Sequence, residues 1–127
     1  MTDVVHTFAD VKSVFEAIIE EHGADYVYSE PSGGSCAYVG CVEGEDPRPS
    51  CIVGHLLCRL GLIEPSKLIG TLDNTKPIGY FLDVMDLARL FTPDARELMR
   101  LVQIHQDQGD PWGKALSRAV SLIRNGG

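Results

Sequence analysis

The chain has 127 residues, of which 44% are hydrophobic and 23% charged, and its formal net charge is −7. This length fits a single domain whose apolar content can form a core without a stapling disulfide or metal. The charge is uneven, because residues 1–60 hold ten acids and three bases, whereas residues 61–127 hold eight of each. An acidic first half repels phosphate, so we expect no nucleic-acid partner, although an acidic protein can bind a basic partner or imitate DNA.

The sequence also bears on location. Residues 1–6 contain neither the basic nor the apolar segment of a signal peptide. No uninterrupted apolar run approaches the roughly 20 residues of a membrane-spanning helix. The four cysteines are therefore expected as reduced thiols. We expect a cytoplasmic protein that does not associate with membranes.

In chain order, the first predicted elements are a helix and a hairpin. Thr7 can cap a helix that runs to about His22, where a glycine ends it. Two β-rich runs follow, Asp25–Tyr28 and Ala37–Val39, with a glycine-rich turn between them. They predict a small β-hairpin. An acidic, proline-rich loop over Glu43–Pro49 comes next.

The middle of the chain predicts three helices. Ser50 is expected to cap the helix that contains Cys51 and Cys58, and Pro65 to begin a short helix. The segment Ile78–Phe91 is apolar on more than one side, so we expect it to be the central helix of the domain.

The last two helices each begin with a capping residue followed by proline, at Pro93 and at Pro111. The final one carries an inward apolar stripe that includes Trp112, Leu116 and Val120. The sequence thus predicts a helix-dominated α+β fold, a single domain over residues 1–127 with about five helices and one small β-hairpin.

Soft ligands are concentrated on the cysteine helix. At 3.6 residues per turn, Cys51, His55 and Cys58 share one stripe of that helix. A hairpin packed on this helix would complete a zinc set of four thiolate or imidazole ligands, Cys36, Cys41, Cys51 and His55. Buried thiols that only pack are the commoner use of cysteine, and no pair here has two-residue knuckle spacing.

A thiol enzyme is a further interpretation of the same helix. Cys51 lies in the first helical turn, where the helix dipole favours a thiolate, and His55 lies one turn on as a possible base. The sequence offers no third group to orient the base and no oxyanion arrangement. We therefore expect no catalytic residues and no cofactor, with zinc as the alternative.

A polar run over residues 103–113 is the other distinctive segment. His105 shares a helix face with apolar residues, so we expect it to point toward the core. The run can be a recognition patch centred on Trp112. It can also be a corner between two helices, in which Gly109 stops one, Asp110 caps the next and Gly113 lets Trp112 pack closely. We favour the corner, because each residue has a local role in it.

Two segments of the chain carry a distinctive pattern: Pro49–Gly61, with its Ser-Cys-Ile-Val-Gly-His core, and the spaced run from Gln103 through Pro111-Trp112-Gly113 to Leu116. Both segments resemble small accessory proteins of actinobacteriophages and related prophages. The resemblance brings no assigned catalytic residues. It implies a protein that is made inside a bacterial host and binds a host protein.

These observations together predict a non-catalytic protein-interaction module. We expect its contact surface in the acidic first half, on the hairpin and on the loop residues Glu43, Glu45, Asp46 and Arg48, because charged loops on a rigid scaffold carry contacts. A zinc-binding or thiol-dependent domain built on Cys36, Cys41, Cys51 and His55 is the alternative.

Overall fold

A computed structural model of the chain describes residues 5–28, 37–40, 46–69, 71, 74 and 76–126. The helices are α1 (Phe8–His22), α2 (Ile52–Arg59), α3 (Pro65–Leu68), α4 (Ile78–Val84), α5 (Pro93–Asp107) and α6 (Trp112–Gly126), and the strands are β1 (Val39–Gly40) and β2 (Arg48–Pro49). The two strands pair antiparallel. The helix-dominated α+β class expected from the sequence is confirmed. Within the described ranges, no helix combines the length and the apolar character needed to cross a bilayer.

The central element of the fold is α5. It packs against α1, α2, α4 and α6, and its Leu98, Met99 and Val102 are fully buried. The expectation that Ile78–Phe91 forms the central helix is therefore wrong. The largest fully buried side chains outside α5 come from the segments packed around it. They are Trp112, Tyr38, Phe15, Phe81, Ile18, Ile52, Leu56, Leu57, Ile78 and Leu82.

The segment expected as one long helix divides at Asp86. The helix α4 ends at Val84, and Asp86 has a φ of 56°, in the left-handed region. The N–H of Leu87 then donates to the Leu82 carbonyl at 2.8 Å, which closes the helix end. Aspartate tolerates this conformation better than an apolar residue does. A single 3₁₀ turn over Ala88–Leu90 follows, so α4 is short and one of its faces remains exposed.

The β-structure forms at a different place from the predicted hairpin. The second predicted strand is present in part, because Val39 pairs with Pro49 and Gly40 with Arg48. The first predicted strand, Asp25–Tyr28, is wrong. This segment instead caps the start of α6, because the Tyr26 carbonyl accepts a hydrogen bond from the N–H of Trp112 at 2.8 Å. The partner strand of β1 comes from the end of the acidic loop.

The first helix is as the sequence predicts. Thr7 and Asp10 form a capping box, in which each side chain accepts a hydrogen bond from the backbone N–H of the other residue. The hydrogen bond that the Thr7 N–H donates to the Asp10 carboxylate holds the pKa of Asp10 below its usual value, and the Thr7 side chain adds to this shift. Gly23 ends the helix with a φ of 98°, which favours glycine. Local signals alone were sufficient here.

Candidate functional site

Cys51 is the N-cap of α2. Its Sγ atom accepts a hydrogen bond from the N–H of Gly54 at 3.4 Å, and the residue is fully buried. The predicted cap at Ser50 is wrong, because the chain is still extended there and the Ser50 N–H donates to the Tyr38 carbonyl at 2.9 Å. A thiol that is sealed in the core and caps its own helix is not open to a substrate.

Cys58 lies at the other end of the same helix and is half-buried. Burial raises the pKa of its thiol, so the protonated form dominates at neutral pH. Catalytic cysteines need the opposite environment, with partial exposure and nearby positive charge. Neither of the two cysteines that the structure describes has the surroundings of an activated nucleophile.

The structure describes two of the four predicted zinc ligands. Cys51 and His55 are described, whereas Cys36 and Cys41 lie outside the described residues. Within the ranges that are described, no three His, Cys, Asp or Glu side chains are grouped so that they could hold a metal ion. The zinc set stays a prediction.

His55 belongs to a cluster of rings at the meeting point of α1, α2 and α6. Its ring centroid is 4.7 Å from that of His22 and 5.7 Å from that of Trp112, and Tyr26 lies 4.5 Å from Trp112. The Nδ1–H of His22 donates to the carbonyl of Ile18 at 2.9 Å. Burial lowers the pKa of His55 to about 4, and the nearby His22 adds to this shift. The imidazole of His55 is therefore neutral at physiological pH and packs against the neighbouring rings.

The corner between α5 and α6 has its glycines where the sequence predicts them, but the expected cap at Asp110 is wrong, because α6 begins at Trp112 and the Asp110 carboxylate lies near His105 and Arg118 instead. Gly109 has a φ of 94° and Trp112 is fully buried, so Trp112 does not centre a surface patch. The N–H of Gly113 donates to the Ala24 carbonyl at 3.0 Å. A Cβ atom on Gly113 would lie 2.8 Å from the Cβ of Ala24, which explains the glycine. The linker after α1 thus caps α6 with backbone carbonyls.

His105 and Asp110 stabilise the same corner. The Nδ1 atom of His105 and the Nη1 atom of Arg118 each lie 3.5 Å from Oδ2 of Asp110. The side chains of His105 and Asp110 are only 14% and 18% exposed. The expected inward direction of His105 is confirmed. This group joins the end of α5 to α6.

Two buried glutamines on α5 have structural roles that were not predicted from the sequence. The Oε1 atom of Gln106 accepts the Ile52 N–H of α2 at 2.8 Å, and Oε1 of Gln103 accepts the Ile78 N–H of α4 at 2.9 Å. Helix N-termini leave N–H groups unsatisfied, and these side chains satisfy them inside the core. The spacing of three residues was the available signal, because it places both glutamines on one helix face.

The exposed face and the C-terminal end of α4 carry three large hydrophobic side chains that remain exposed. Tyr80 is 52% exposed, Val84 49% and Met85 43%. Tyr80 and Val84 are four residues apart and share a face of the helix. Lys76 lies over the ring of Tyr80, with its Nζ atom 5.7 Å from the ring centroid. We refer to Tyr80, Val84 and Met85 as the α4 patch.

A groove adjoins the α4 patch. Met85 lines it together with the segment that links α2 to α3, and its volume is about 310 Å³. Leu62, Ile63 and Leu68 form its apolar walls, and Glu64 and Lys67 lie at its edge as an ion pair. The patch and the groove together form one apolar surface around Met85.

The predicted contact residues in the acidic loop are described only in part. Glu43 and Glu45 lie outside the described residues, Asp46 is exposed, and Arg48 is exposed in β2 opposite Gly40. The structure therefore places two of the four beside the small sheet and does not test their contact role.

Comparison of the chain with protein-family models, with curated proteins and with solved structures finds no match.

Proposed function

We propose that this chain is a non-catalytic protein-interaction module whose contact surface is the α4 patch with its adjoining groove. The observation that carries the proposal is the exposure of Tyr80 and Val84 on one short helix and of Met85 at its C-cap. A contiguous apolar surface on a folded protein commonly marks an interaction site. Tyrosine and methionine are enriched at the centres of such interfaces, and methionine adapts its shape to a partner.

The charges around the patch indicate which partner fits. Asp86 pairs with Arg89 and Glu64 pairs with Lys67, whereas Asp83 forms no ion pair among the described residues. The chain as a whole carries a net charge of −7. An apolar centre on a chain of negative net charge complements a partner segment that presents apolar side chains flanked by lysine or arginine. Asp46 and the other acids of the first half would add to the attraction at longer range.

The groups that could have carried chemistry have structural roles. Cys51 caps α2, burial keeps Cys58 protonated, and His55 packs against Trp112. These roles support a binding function over a thiol-dependent one. Two segments of the chain resemble phage accessory proteins. On the basis of this resemblance, we propose that the partner is a host protein of the bacterial cytoplasm.

Affinity capture with matched surface variants tests this proposal. The bait is the purified chain and the prey is an actinobacterial lysate, from which the captured protein is then purified. Val84→Glu with Met85→Glu introduces charge into the patch, and Leu122→Glu, at a position 51% exposed on α6, is the matched control. Circular dichroism confirms that each variant is folded.

We expect titration calorimetry to show binding by the wild type and by Leu122→Glu, with a Kd at least about tenfold higher for the patch variant. Raising the salt concentration should weaken binding moderately, since screening affects the charged rim more than the apolar centre. Equal affinity of both variants, or no partner that depends on the patch, would contradict the proposal.

A further inference from the structure

A second groove lies between α4 and the first half of α5. Leu82, Ala88 and Pro93 form its apolar wall, and Arg96 and Arg100 of α5 lie along it at a spacing of one helical turn. Its volume is about 270 Å³, which fits a ligand of a few carbon atoms better than a large cofactor. Gly79 also lines it, and no atom lies within 4 Å of the position that a Cβ would occupy there. The groove is thus open above α4.

Arg96 is the unusual residue of this groove. It is half-buried, and its Nε atom is buried with no hydrogen-bond partner in the part of the chain that the structure describes. A guanidinium keeps its charge at physiological pH, and burying one of its N–H groups without an acceptor is costly. Native proteins leave few such groups, and an absent ion or ligand is one common reason.

The other charges of the groove decide which ligand is suitable. The Nε atom of Arg100 donates to Oε1 of Glu97 at 2.7 Å, so these two side chains neutralise each other. Asp83 lines the groove and forms no ion pair with Arg96 among the described residues. The buried Nε–H of Arg96 therefore lacks an acceptor among the described residues, while the Asp83 carboxylate lies nearby. A monoanion can supply that acceptor with less repulsion from Asp83 than a phosphate dianion would meet.

We propose that this groove binds a small aliphatic monocarboxylate. Its carboxylate accepts the N–H groups of Arg96, and its hydrocarbon tail lies against Leu82, Ala88 and Pro93. Arginine suits this contact because its planar fork matches the two oxygens of a carboxylate. The site is separate from the proposed protein-binding function, which uses the exposed face of α4 and the groove at Met85.

Titration of the purified chain with a matched series of small molecules tests the site. The probes are acetate, butyrate and hexanoate at constant ionic strength, with hexanol and hexylamine as equal-length controls and inorganic phosphate as the competing anion. Two-dimensional NMR follows the Nε–H signal of Arg96 during each titration. If Arg96 had only a structural role, this signal would not shift when the probe is added. Arg96→Gln and Arg96→Lys are compared with Arg124→Gln, which changes an exposed arginine on α6.

We expect hexanoate to bind with a Kd of about 1 mM, more tightly than butyrate or acetate, and to shift the Arg96 signal. Arg96→Gln should weaken binding at least about tenfold and Arg96→Lys by less, while Arg124→Gln should bind as the wild type does. Hexanol and hexylamine should leave the Arg96 signal in place. Tighter binding of phosphate than of hexanoate, equal binding by folded Arg96→Gln, or no hexanoate binding would overturn the proposal.

Discussion

The side chain of Gln106 closes the N-terminus of α2, because its Oε1 atom accepts the backbone N–H of Ile52 at 2.8 Å. The same oxygen accepts the indole Nε1–H of Trp112 at 3.2 Å. One buried amide thus joins α5 to both α2 and α6. This relationship explains why a glutamine lies in the core, where its polar group would otherwise be unfavourable.

Removal of this amide is expected to destabilise the fold. Gln106→Ala leaves two buried donors without an acceptor, which should lower the free energy of unfolding by about 2–3 kcal/mol. Gln108→Ala, at an exposed position two residues on, should change it by less than about 0.5 kcal/mol. Urea unfolding followed by Trp112 fluorescence measures both. Similar stability of the two variants would show that the hydrogen bonds to Gln106 contribute nothing.

Two glycines within helices should respond to alanine in opposite directions. A Cβ atom on Gly54 would collide with the carbonyl group of Tyr38, whose carbon atom would be only 2.7 Å away. Gly54→Ala should therefore cost about 3 kcal/mol, as overpacking against a backbone group does. Gly79 has open space around the same position, and Gly79→Ala should stabilise the protein by about 0.5–1 kcal/mol. Thermal melts of both variants check this, and a change of the same sign in both would contradict the packing of α2 on Tyr38.

The stability of the fold should fall as the solution becomes acidic. Burial lowers the pKa of His55 to about 4, whereas an unfolded histidine has a pKa of about 6.5. Between these values the unfolded chain binds the proton more readily, so the contribution of neutral His55 is complete above pH 6.5 and is lost as the pH falls toward 4. Denaturant unfolding at several pH values measures this loss. We expect His55→Gln to flatten the profile relative to the wild type; equal slopes for His55→Gln and wild type would contradict the assignment.

Thiol labelling distinguishes the packing role of Cys51 from a chemical one. In native buffer we expect iodoacetamide to modify Cys51 at least about tenfold more slowly than an exposed thiol, because its side chain is fully buried and access to the sulfur is restricted. The raised pKa of Cys58 should slow its labelling as well. Peptide mapping by mass spectrometry follows each site, with the denatured chain as the reference. Preferential labelling of Cys51 would revive the thiol-dependent alternative.

Elements with local signals could be predicted from the sequence. The capping box of α1, the glycine at its end and the proline that begins α5 all act within one helical turn, so their meaning does not depend on distant residues. The inward stripe of α6 was equally clear, since Trp112, Leu116 and Ala119 are buried and repeat at helical spacing.

Elements that depend on distant partners could not be predicted in this way. Asp25–Tyr28 has the composition of a strand, but its carbonyls cap α6 because that helix packs against the end of α1. The break at Asp86 and the exposure of the α4 patch follow from how a short helix fits beside α5. The charge of the acidic loop is a property of the sequence, whereas the apolar surface depends on which side chains the folded core leaves exposed.

The sequence by itself determined the helical class of this protein, most helix ends and the inward stripe of α6, because hydrophobic periodicity and capping are local properties of the chain. Only the tertiary structure decided that Cys51 caps α2, that Gln106 and Gln103 satisfy N–H groups at the starts of α2 and α4, and that Tyr80 and Val84 remain exposed. Burial and hydrogen-bond partners depend on which segments meet in space, and residues far apart in the chain supply them.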